Sequence, residues 1–524
     1  MSEVTDTSAR SEDGAPTHAL RSVARGGTLN LVGFVVSGVL GFVLAIVITR
    51  ELGARGAGIF FSAVAVFTIL ANITELGADT GVVRFVARAR EQGRARDLRR
   101  LIAVALVPSA IAGVLAGIAM VVFAQPLSEL FARSDPAEVT RFLRLLGPFL
   151  PLTTIATVAM AATRGFGSMR PFVAIESVGK PFLKPFLLLV LGVGGLSAAE
   201  VALGWGIPEA LACAAALVVL VRMLGAVERG TPTRGVREVA REFWTFSAPR
   251  GVAAAFQITI IWFDLLLLGH FRPLAEVGVY AAASRVITVG TFALQSIRLA
   301  IAPQISRLLA REDRAGAQVV YQTATWWLMV VSWPMFLVLA VFAPYLLQIF
   351  GPGFAAGQTA LLILSLAMLV NLGTGNVTVV LLMGGKSSWN LMNTAVALVL
   401  NVGLNLVLIP RYGMEGAALA WAVSIIVDNL MALTEVWAFL GMRPFGSGYA
   451  VAALAPVVCV GVTAIAARLA LGANTAGFVV ALAVAVPLYA ASIWRFRRTL
   501  RLDEFLRSLR TEGASPPRST PGAA

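Results

Sequence analysis

The sequence predicts an all-α polytopic membrane protein, and three observations lead to this prediction. The 524 residues are 58% hydrophobic and 13% charged, with a mean hydropathy of +0.82, whereas a soluble domain carries roughly 25% charged residues. Intrinsic disorder of the whole chain is excluded, because disorder requires low hydrophobicity. The apolar residues form continuous runs of about 20, which is the length of a membrane-spanning helix and not the alternating pattern of a β-barrel strand.

Fourteen apolar segments are expected to span the membrane as helices. They lie near residues 28–49, 56–78, 101–123, 142–163, 172–193, 199–221, 248–269, 276–300, 321–344, 356–380, 387–409, 415–440, 449–470 and 475–494. The polar N-tail (1–24) and the basic C-tail (495–524) are predicted to be disordered, because they hold too few apolar residues to form a core.

A strong charge asymmetry orients these segments in the membrane. Thirty of the 42 Lys and Arg residues lie in the two tails and in every second loop, whereas seven lie in the intervening loops. Loops rich in Lys and Arg stay on the cytoplasmic side of a membrane. Both termini are therefore predicted to be cytoplasmic, and the net charge of +14 is attributed to membrane topology and not to nucleic-acid binding.

An internal duplication divides the chain into two halves. The stretch GARGAGIFFSAVAVF around Gly58 resembles PLAEVGVYAAASRVI around Gly278, and Gly165 and Gly385 repeat at the same offset of 220 residues. Because an even number of spans separates the copies, both enter the membrane from the same side. The predicted organisation is an N-lobe (25–221, spans 1–6), a cytoplasmic linker (222–247), a C-lobe (248–440, spans 7–12) and two further helices (441–494).

Two six-helix repeats followed by two extra helices resemble the multidrug/oligosaccharidyl-lipid/polysaccharide exporter superfamily, and in particular its polysaccharide-transporter branch of oligosaccharide flippases. The resemblance is carried by FDLLLLGHFRPLAEVGVYAAASRV at 263–286, by APQISRLL at 302–309 and by ELGARGAGIF after span 1. Within these motifs, Asp264, Gly278-Val-Tyr280 and Pro303 stand where such flippases commonly have the same residues. The resemblance implies a MATE-like fold with two lobes around a central cavity.

The same resemblance implies a flippase in the bacterial cytoplasmic membrane, and not an enzyme. Its substrate would be a lipid-linked (polyprenyl-pyrophosphate) oligosaccharide for cell-surface polysaccharide biosynthesis, carried by alternating access of the two lobes. The expected partners are this substrate, membrane lipid, and a polysaccharide polymerase or glycosyltransferases. No cofactor and no metal site are expected, apart from H⁺ or Na⁺ as a coupling ion.

Two alternatives stay open at this point. One is a cation-coupled multidrug exporter of the MATE type, and the other is a non-transporting membrane scaffold of the same fold. Many drug exporters of this superfamily carry an essential aspartate in span 1, whereas this chain has no acid between Leu29 and Thr49. A drug exporter would also need an acidic cavity, and the candidate residues include several basic ones.

Three arginines are candidate substrate contacts, because charge inside a membrane is costly and is therefore found mainly where it has a function. Arg285 lies about ten residues into span 8, near the midplane, where a guanidinium can hold a phosphate through two hydrogen bonds. An interlobe salt bridge is the alternative role for Arg285. Arg250 and Arg298 lie near the cytoplasmic ends of spans 7 and 8, where they either contact substrate or extend to lipid phosphate.

Span 5 carries two further candidate cations, Lys180 and Lys184, which follow Glu176 on one helix face at i+4 and i+8. They form either a basic stripe in the cavity or a polar seam against a neighbouring helix. Carboxylates in a low-dielectric site can exchange protons or bind Na⁺. The candidate ion-coupling acids are Asp264, Glu75, Asp79 and Asp428.

Overall fold

The computed structural model describes residues 15–191, 197–227 and 230–502, and every regular element in these ranges is helical. The all-α prediction is confirmed for this part of the chain. The helices are α1 (Ala15–Thr74), α2 (Ala78–Glu91), α3 (Leu98–Val122), α4 (Ala124–Phe131), α5 (Pro136–Leu146), α6 (Leu150–Gly165), α7 (Arg170–Phe172), α8 (Lys180–Leu191), α9 (Ala198–Gly225), α10 (Val236–Phe271), α11 (Leu274–Ala310), α12 (Arg314–Val341), α13 (Ala343–Leu346), α14 (Gln358–Gly373), α15 (Val377–Met383), α16 (Ser387–Leu440), α17 (Tyr449–Pro456), α18 (Thr463–Leu471) and α19 (Thr475–Arg495). Two π-helical segments, Val173–Gly179 and Val457–Val462, precede α8 and α18.

Ten helical segments among the described residues are long and apolar enough to cross a membrane, so the protein is a multi-pass membrane protein. Two of them, Val32–Glu91 and Ser388–Leu440, contain 60 and 53 residues, whereas one span requires about 20. Each is broken at a glycine with positive φ, at Gly53 (66°) and Gly413 (56°), where any side chain would be strained. The breaks follow predicted spans 1 and 11, and the full count of fourteen spans stays a prediction.

The structure differs from the predicted tails at the N-terminus. α1 begins at Ala15, inside the segment 1–24 that is predicted to be disordered. The stretch from residue 15 contains Ala, Leu and Arg, which are strong helix formers, and this local preference outweighs its low hydrophobicity. Residues 1–14 and 503–524, which hold most of the two predicted tails, lie outside the described residues.

The chain folds into two compact units. The first contains the described residues up to Phe292 together with Gln348–Gly357 and Leu398–Ala420, and the second contains Ala293–Leu347, Gln358–Ala397 and the residues from Trp421. The boundaries of the two units differ from those of the predicted lobes. Most of α10 belongs to the predicted C-lobe, but α10 packs with α1, α2 and α3 in the first unit. The lobe boundaries therefore stay a prediction.

Each unit has its own apolar core. In the first unit, α2, α3, α6, α9 and α10 bury a continuous cluster that includes Val82, Leu98 and Phe243. In the second unit, α12, α15 and the end of α16 bury a cluster that includes Tyr321 and Val436. The first core holds α2 against α10.

The duplicated glycines of the sequence lie against each other in the first unit. A Cβ atom at Gly58 would stand 1.7 Å from the carbonyl oxygen of Leu274, and one at Gly278 would stand 2.0 Å from the carbonyl oxygen of Ala54. α1 and α11 therefore cross with their backbones in contact, as small residues allow in membrane helices. The repeated glycine thus marks a packing site as well as a duplication.

Gly58→Ala is expected to lower the thermal stability of the detergent-solubilised protein, because the added methyl group requires α1 and α11 to separate. Overpacking of this kind costs about 1–3 kcal/mol and should appear as a lower midpoint of thermal unfolding. Gly41→Ala on the same helix is the matched control, since a Cβ atom at Gly41 meets nothing within 4 Å. An unchanged midpoint in Gly58→Ala would contradict the close crossing.

Candidate functional site

A cavity of about 450 Å³ in the first unit brings together charged residues from three helices. We call it the arginine cavity, and its lining comes from α2, α6 and α10. The lining residues are Asp79, Thr80, Val83, Arg84, Arg164, Phe246 and Arg250. Two of the residues predicted from the sequence, Arg250 and Asp79, meet here. From the sequence, Arg84 belongs to an arginine-rich loop (84–100) that suggests a topology determinant or an anionic-lipid contact, and Arg164 suggests topology alone. The i, i+4 spacing of Phe246 and Arg250 is a sequence signal for a site on α10.

Aromatic rings, and not carboxylates, hold the arginines of this cavity. The guanidinium carbons of Arg84 and Arg250 lie 4.2 and 4.6 Å from the centroid of the Phe246 ring. The guanidinium carbon of Arg164 lies 4.6 Å from the centroid of the Phe172 ring, and its buried Nε has no hydrogen-bond acceptor. Among the described residues no carboxylate oxygen lies within 4 Å of these three guanidinium groups, although Asp79, Glu75 and Glu176 attract Arg164 from a greater distance. A cation–π contact positions a guanidinium while its N–H groups stay available to an anion.

Three glycines let α2 and α10 approach closely enough to form the cavity. Gly77 precedes α2 in the left-handed conformation (φ 75°), and a Cβ atom there would stand 2.2 Å from the carbonyl oxygen of Ser247. A Cβ atom at Gly81 would stand 2.0 Å from Ser247 Oγ, and one at Gly251 would meet the backbone just before α2. The helices therefore touch along their backbones, and the arginines beyond the contact face each other.

Lys180 and Lys184 lie in a buried cluster with two glutamates. Lys180 Nζ lies 2.5 Å from Glu176 Oε2 and 3.3 Å from Glu209 Oε2, and Lys184 Nζ lies 2.8 Å from Glu209 Oε1. Lys184 Nζ also lies 3.2 Å from the centroid of the Trp205 ring. With two cations and two anions the cluster is formally neutral, so its geometry favours the polar seam over the basic stripe. A role of the two lysines in substrate binding stays a prediction.

Arg285 lies between two aromatic rings of the first unit. Its guanidinium carbon is 4.7 Å from the ring centroid of Trp262 on α10 and 5.7 Å from that of Phe61 on α1. No carboxylate pairs with Arg285 among the described residues, so the alternative of an interlobe salt bridge finds no partner there. The contact of Arg285 with substrate stays a prediction.

Other predicted residues lie outside the lining of the arginine cavity. Arg298 is exposed on α11, and Glu75 is half-buried in the turn between α1 and α2. Asp428 is half-buried on α16, seven residues before Glu435, whose carboxylate accepts a hydrogen bond of 2.7 Å from Asn393. In the described part of the chain, no group of three or more His, Cys, Asp or Glu side chains is placed to hold a metal ion.

Two residues that carried the sequence resemblance, Asp264 and Tyr280, meet between α10 and α11. The Tyr280 hydroxyl donates a hydrogen bond of 2.6 Å to Asp264 Oδ2, and the Leu265 N–H donates one of 2.7 Å to Oδ1. Both side chains are buried, so neutral donors and not a cation stabilise the carboxylate. Their separation of 16 residues gave no indication of this contact, because the turn between the two helices decides it.

Glu209→Gln is expected to destabilise the protein, because it leaves Lys180 and Lys184 buried with a single carboxylate. Removing one partner of a buried ion pair costs about 3–5 kcal/mol, which should lower the midpoint of thermal unfolding in detergent. Adding Lys184→Met makes the cluster neutral again and should recover part of that loss. Glu129→Gln is the control, since Glu129 is exposed and accepts a hydrogen bond from Gln125. Full stability of Glu209→Gln would contradict a structural role for the cluster.

The chain has recognisable relatives. The family model described as "Polysaccharide biosynthesis protein" matches residues 23–309, more than half of the chain, and the model "MatE" matches residues 249–407. The probable low-salt glycan biosynthesis flippase Agl15 of Haloferax volcanii is 26% identical over 39% of this chain and 43% of its own length, so this chain spans less than half of that relative. Stage V sporulation protein B of Bacillus subtilis is 22% identical over 83% of this chain and 87% of its own length.

Solved structures share this fold at low sequence identity. The lipid II flippase MurJ, in an inward closed conformation, matches with a TM-score of 0.71 and 12% identity, over 90% of this chain and 98% of that chain. A multidrug resistance MATE family transporter in an inward-facing conformation matches with a TM-score of 0.65 and 15% identity, over 77% and 94%. The MATE-like fold is therefore confirmed. The polysaccharide biosynthesis protein model matches more than half of this chain. The chain therefore belongs to that family, within the multidrug/oligosaccharidyl-lipid/polysaccharide exporter superfamily.

Proposed function

We propose that this protein is a flippase that moves a lipid-linked (polyprenyl-pyrophosphate) oligosaccharide across the bacterial cytoplasmic membrane for cell-surface polysaccharide biosynthesis. The arginine cavity carries the proposal, because it brings three arginines to one volume and, among the described residues, none of them has a carboxylate oxygen within 4 Å. The names of two similar proteins, a glycan biosynthesis flippase and a lipid II flippase, support the same class of substrate. Two lobes alternate access to the substrate, and both termini lie in the cytoplasm.

The lining of the arginine cavity suits a diphosphate. Three arginines and one aspartate give it a net charge of +2, and each guanidinium can donate two parallel hydrogen bonds to phosphoryl oxygens. Its volume of about 450 Å³ lies within the usual range of small-ligand sites. In this arrangement Arg84, Arg164 and Arg250 hold the diphosphate, and Thr80 is placed beside them to hydrogen-bond a sugar hydroxyl.

Arg285 is the second cation of the proposed route. An arginine near the membrane midplane costs several kcal/mol, whereas a cation–π contact returns about 0.5–2 kcal/mol. The two rings beside Arg285 therefore compensate only part of its burial. An anion that enters with its own charge compensates the rest, so we assign Arg285 to the passage of the diphosphate or of an acidic sugar.

An apolar groove in the second unit suits the prenyl tail of the substrate. Its volume is about 750 Å³, and apolar side chains of α12 and α19, together with Val460, form most of its lining. Val331, Val486 and Trp494 in this groove are more than half exposed. An isoprenoid chain that lies in the groove covers these apolar side chains.

A cation-coupled multidrug exporter is the rival function, because a MATE family transporter shares the fold. A site for organic cations would present carboxylates, whereas the lining of the arginine cavity is positive. A scaffold without transport is the weaker rival, since it has no use for an arginine near the membrane midplane such as Arg285. The proposal also includes coupling to H⁺ or Na⁺, with Asp264, Glu75, Asp79 or Asp428 as the coupling acid. Its partners are glycosyltransferases, which supply the glycan, or a polymerase, which receives it.

Transport by purified protein in liposomes tests the role of Arg250. A fluorescent oligosaccharide on polyprenyl diphosphate becomes protected from a membrane-impermeant reagent once it has been flipped. Arg250→Ala is expected to lower the flipping rate at least tenfold, because a hydrogen bond to a charged group contributes about 1.5–3 kcal/mol. Arg250→Lys should keep part of the rate, since it retains the charge but not the planar fork.

Arg133→Ala is the matched control for this experiment, because Arg133 is exposed and does not line the arginine cavity. It should flip the lipid at the wild-type rate. If a folded Arg250→Ala protein flips the lipid at the wild-type rate, the arginine cavity does not bind the substrate during transport. Export of a cationic dye along an ion gradient, without any movement of lipid, would establish the multidrug exporter in place of the flippase.

Arg285→Ala is expected to abolish translocation while the protein remains folded and inserted. The described residues offer Arg285 no carboxylate partner, so its removal leaves no buried anion behind and should not lower the unfolding midpoint. Arg285→Lys should be partly active. Loss of expression or stability in the Ala variant, rescued by a second substitution at an acid, would instead identify a structural salt bridge.

A further inference from the structure

A second, larger cavity adjoins the arginine cavity in the first unit. Its volume is about 840 Å³, and we call it the arginine vestibule. Five arginines of α2, of α10 and of the segment before α10 line it: Arg84, Arg88, Arg234, Arg237 and Arg241. Arg84 and Phe246 line both cavities. A ligand bound by Arg84 in the vestibule is therefore already in contact with a residue of the arginine cavity.

Two glutamates of the vestibule are engaged by only two of its arginines. Glu242 lies 2.8 Å from Arg88 and 2.6 Å from Arg234, and Glu238 lies 2.7 Å from Arg234. The hydrogen bonds that Arg234 donates to Glu238 and Glu242 raise its pKa above the ordinary value. Arg88 and Arg234 are thus neutralised in place and serve to hold the walls of the vestibule together.

Three arginines of the vestibule remain without a carboxylate partner in the described part of the chain: Arg84, Arg237 and Arg241. Five arginines and two glutamates leave the lining with a net charge of +3. Arg237 and Arg241 stand at i, i+4 on α10, and Arg84 and Arg88 stand at i, i+4 on α2, so each helix turns two arginines toward the same volume. The positive-inside bias requires Lys and Arg in the cytoplasmic loops, but it does not require arginines of two helices to line the same cavity. Topology alone therefore does not account for this cluster.

Hydrogen bonds and ring packing hold the vestibule in shape. Asp97 accepts hydrogen bonds from the Thr233 N–H (2.7 Å), the Thr233 hydroxyl (2.6 Å) and the Arg234 N–H (3.4 Å), which anchors the chain just before α10. Phe85 of α2 packs against Phe243 of α10 with ring centroids 5.6 Å apart. Because these contacts exist before any ligand arrives, an anion binds without paying to order the helices.

We propose that the arginine vestibule is a separate phosphate-binding site that receives the diphosphate of a ligand and passes it through Arg84 to the arginine cavity. Arg237 and Arg241 make the first contact, and Arg84 then holds one phosphate group while the other moves toward Arg250. The proposal rests on the proposed function for the identity of the transported lipid, whereas the phosphate chemistry follows from the vestibule itself. A lipid diphosphate headgroup and a free diphosphate share this chemistry.

Binding of radiolabelled inorganic pyrophosphate to the full-length protein in neutral-lipid nanodiscs tests the site. All proteins carry Arg250→Ala, which weakens binding in the arginine cavity. Adding Arg237→Ala and Arg241→Ala is expected to weaken the remaining binding at least tenfold. The matched control is Arg307→Ala with Arg311→Ala, which removes two exposed arginines of the same spacing, one in the last turn of α11 and one just after it. Equal weakening in test and control would mean general attraction to positive charge, and would overturn the site.

Transport kinetics separate this proposal from the flippase function. With Arg250 intact, the Arg237→Ala, Arg241→Ala protein should need roughly tenfold more lipid for half-maximal flipping, with the maximal rate kept. If it matches wild type in binding and in flipping while Arg250→Ala is inactive, the vestibule proposal is wrong and the flippase function stands. If neither protein differs from wild type, both proposals fail. Should the alanine pair unfold, Arg237→Gln with Arg241→Gln replaces it.

Competition in the same nanodiscs distinguishes the two sources of phosphate. Polyprenyl diphosphate incorporated in the lipid should displace labelled pyrophosphate from wild type, and an equal amount of a neutral polyprenol should not. Displacement by the lipid diphosphate supports the transfer to the arginine cavity. If only soluble diphosphates compete, the transfer is overturned, and the vestibule is a site for a free phosphate compound.

Discussion

Charge held away from water is the constraint on which the rest of this structure depends. A buried ammonium or guanidinium costs several kcal/mol unless an anion, a ring or water compensates it. Around Glu209 the compensation is complete, because carboxylates neutralise Lys180 and Lys184 inside the helix bundle. Arg285 has the rings of Trp262 and Phe61 in place of carboxylates, and a ring returns only part of the cost. The first arrangement stabilises the fold, whereas the second leaves charge for a ligand.

Backbone contact between helices is the second determinant, and it decides where those charges meet. At Gly77 and Gly81 the start of α2 lies directly on Ser247 of α10, so the side chains just beyond the contact converge on a shared volume. The same device joins α1 to α11 at Gly58 and Gly278. Membrane helices gain little from burying apolar surface against each other, so close approach through small residues carries much of the specificity of their packing.

The arginines that orient the chain in its membrane also build its cavities. Arg84 belongs to the basic loop after span 2, and this loop alone would satisfy the positive-inside bias. In the folded protein Arg84 packs on Phe246 and lines both the arginine cavity and the arginine vestibule. Arginine suits both roles, because it keeps its charge at any physiological pH and offers a planar set of donors to phosphate. One side chain thus contributes to topology and to recognition.

The sequence by itself determined the all-α membrane fold, the family, and the candidacy of Arg250 and Asp79, because hydropathy, charge bias and repeat offsets are properties of short stretches of chain. Only the tertiary structure decided which charges are neutralised and which stay available. Glu209 reaches Lys184 from another helix, Tyr280 reaches Asp264 across a turn, and Arg84 and Arg250 come from two helices to the same Phe246 ring. These contacts depend on how closely and at what rotation two helices pack, and no periodicity within a single helix encodes that geometry.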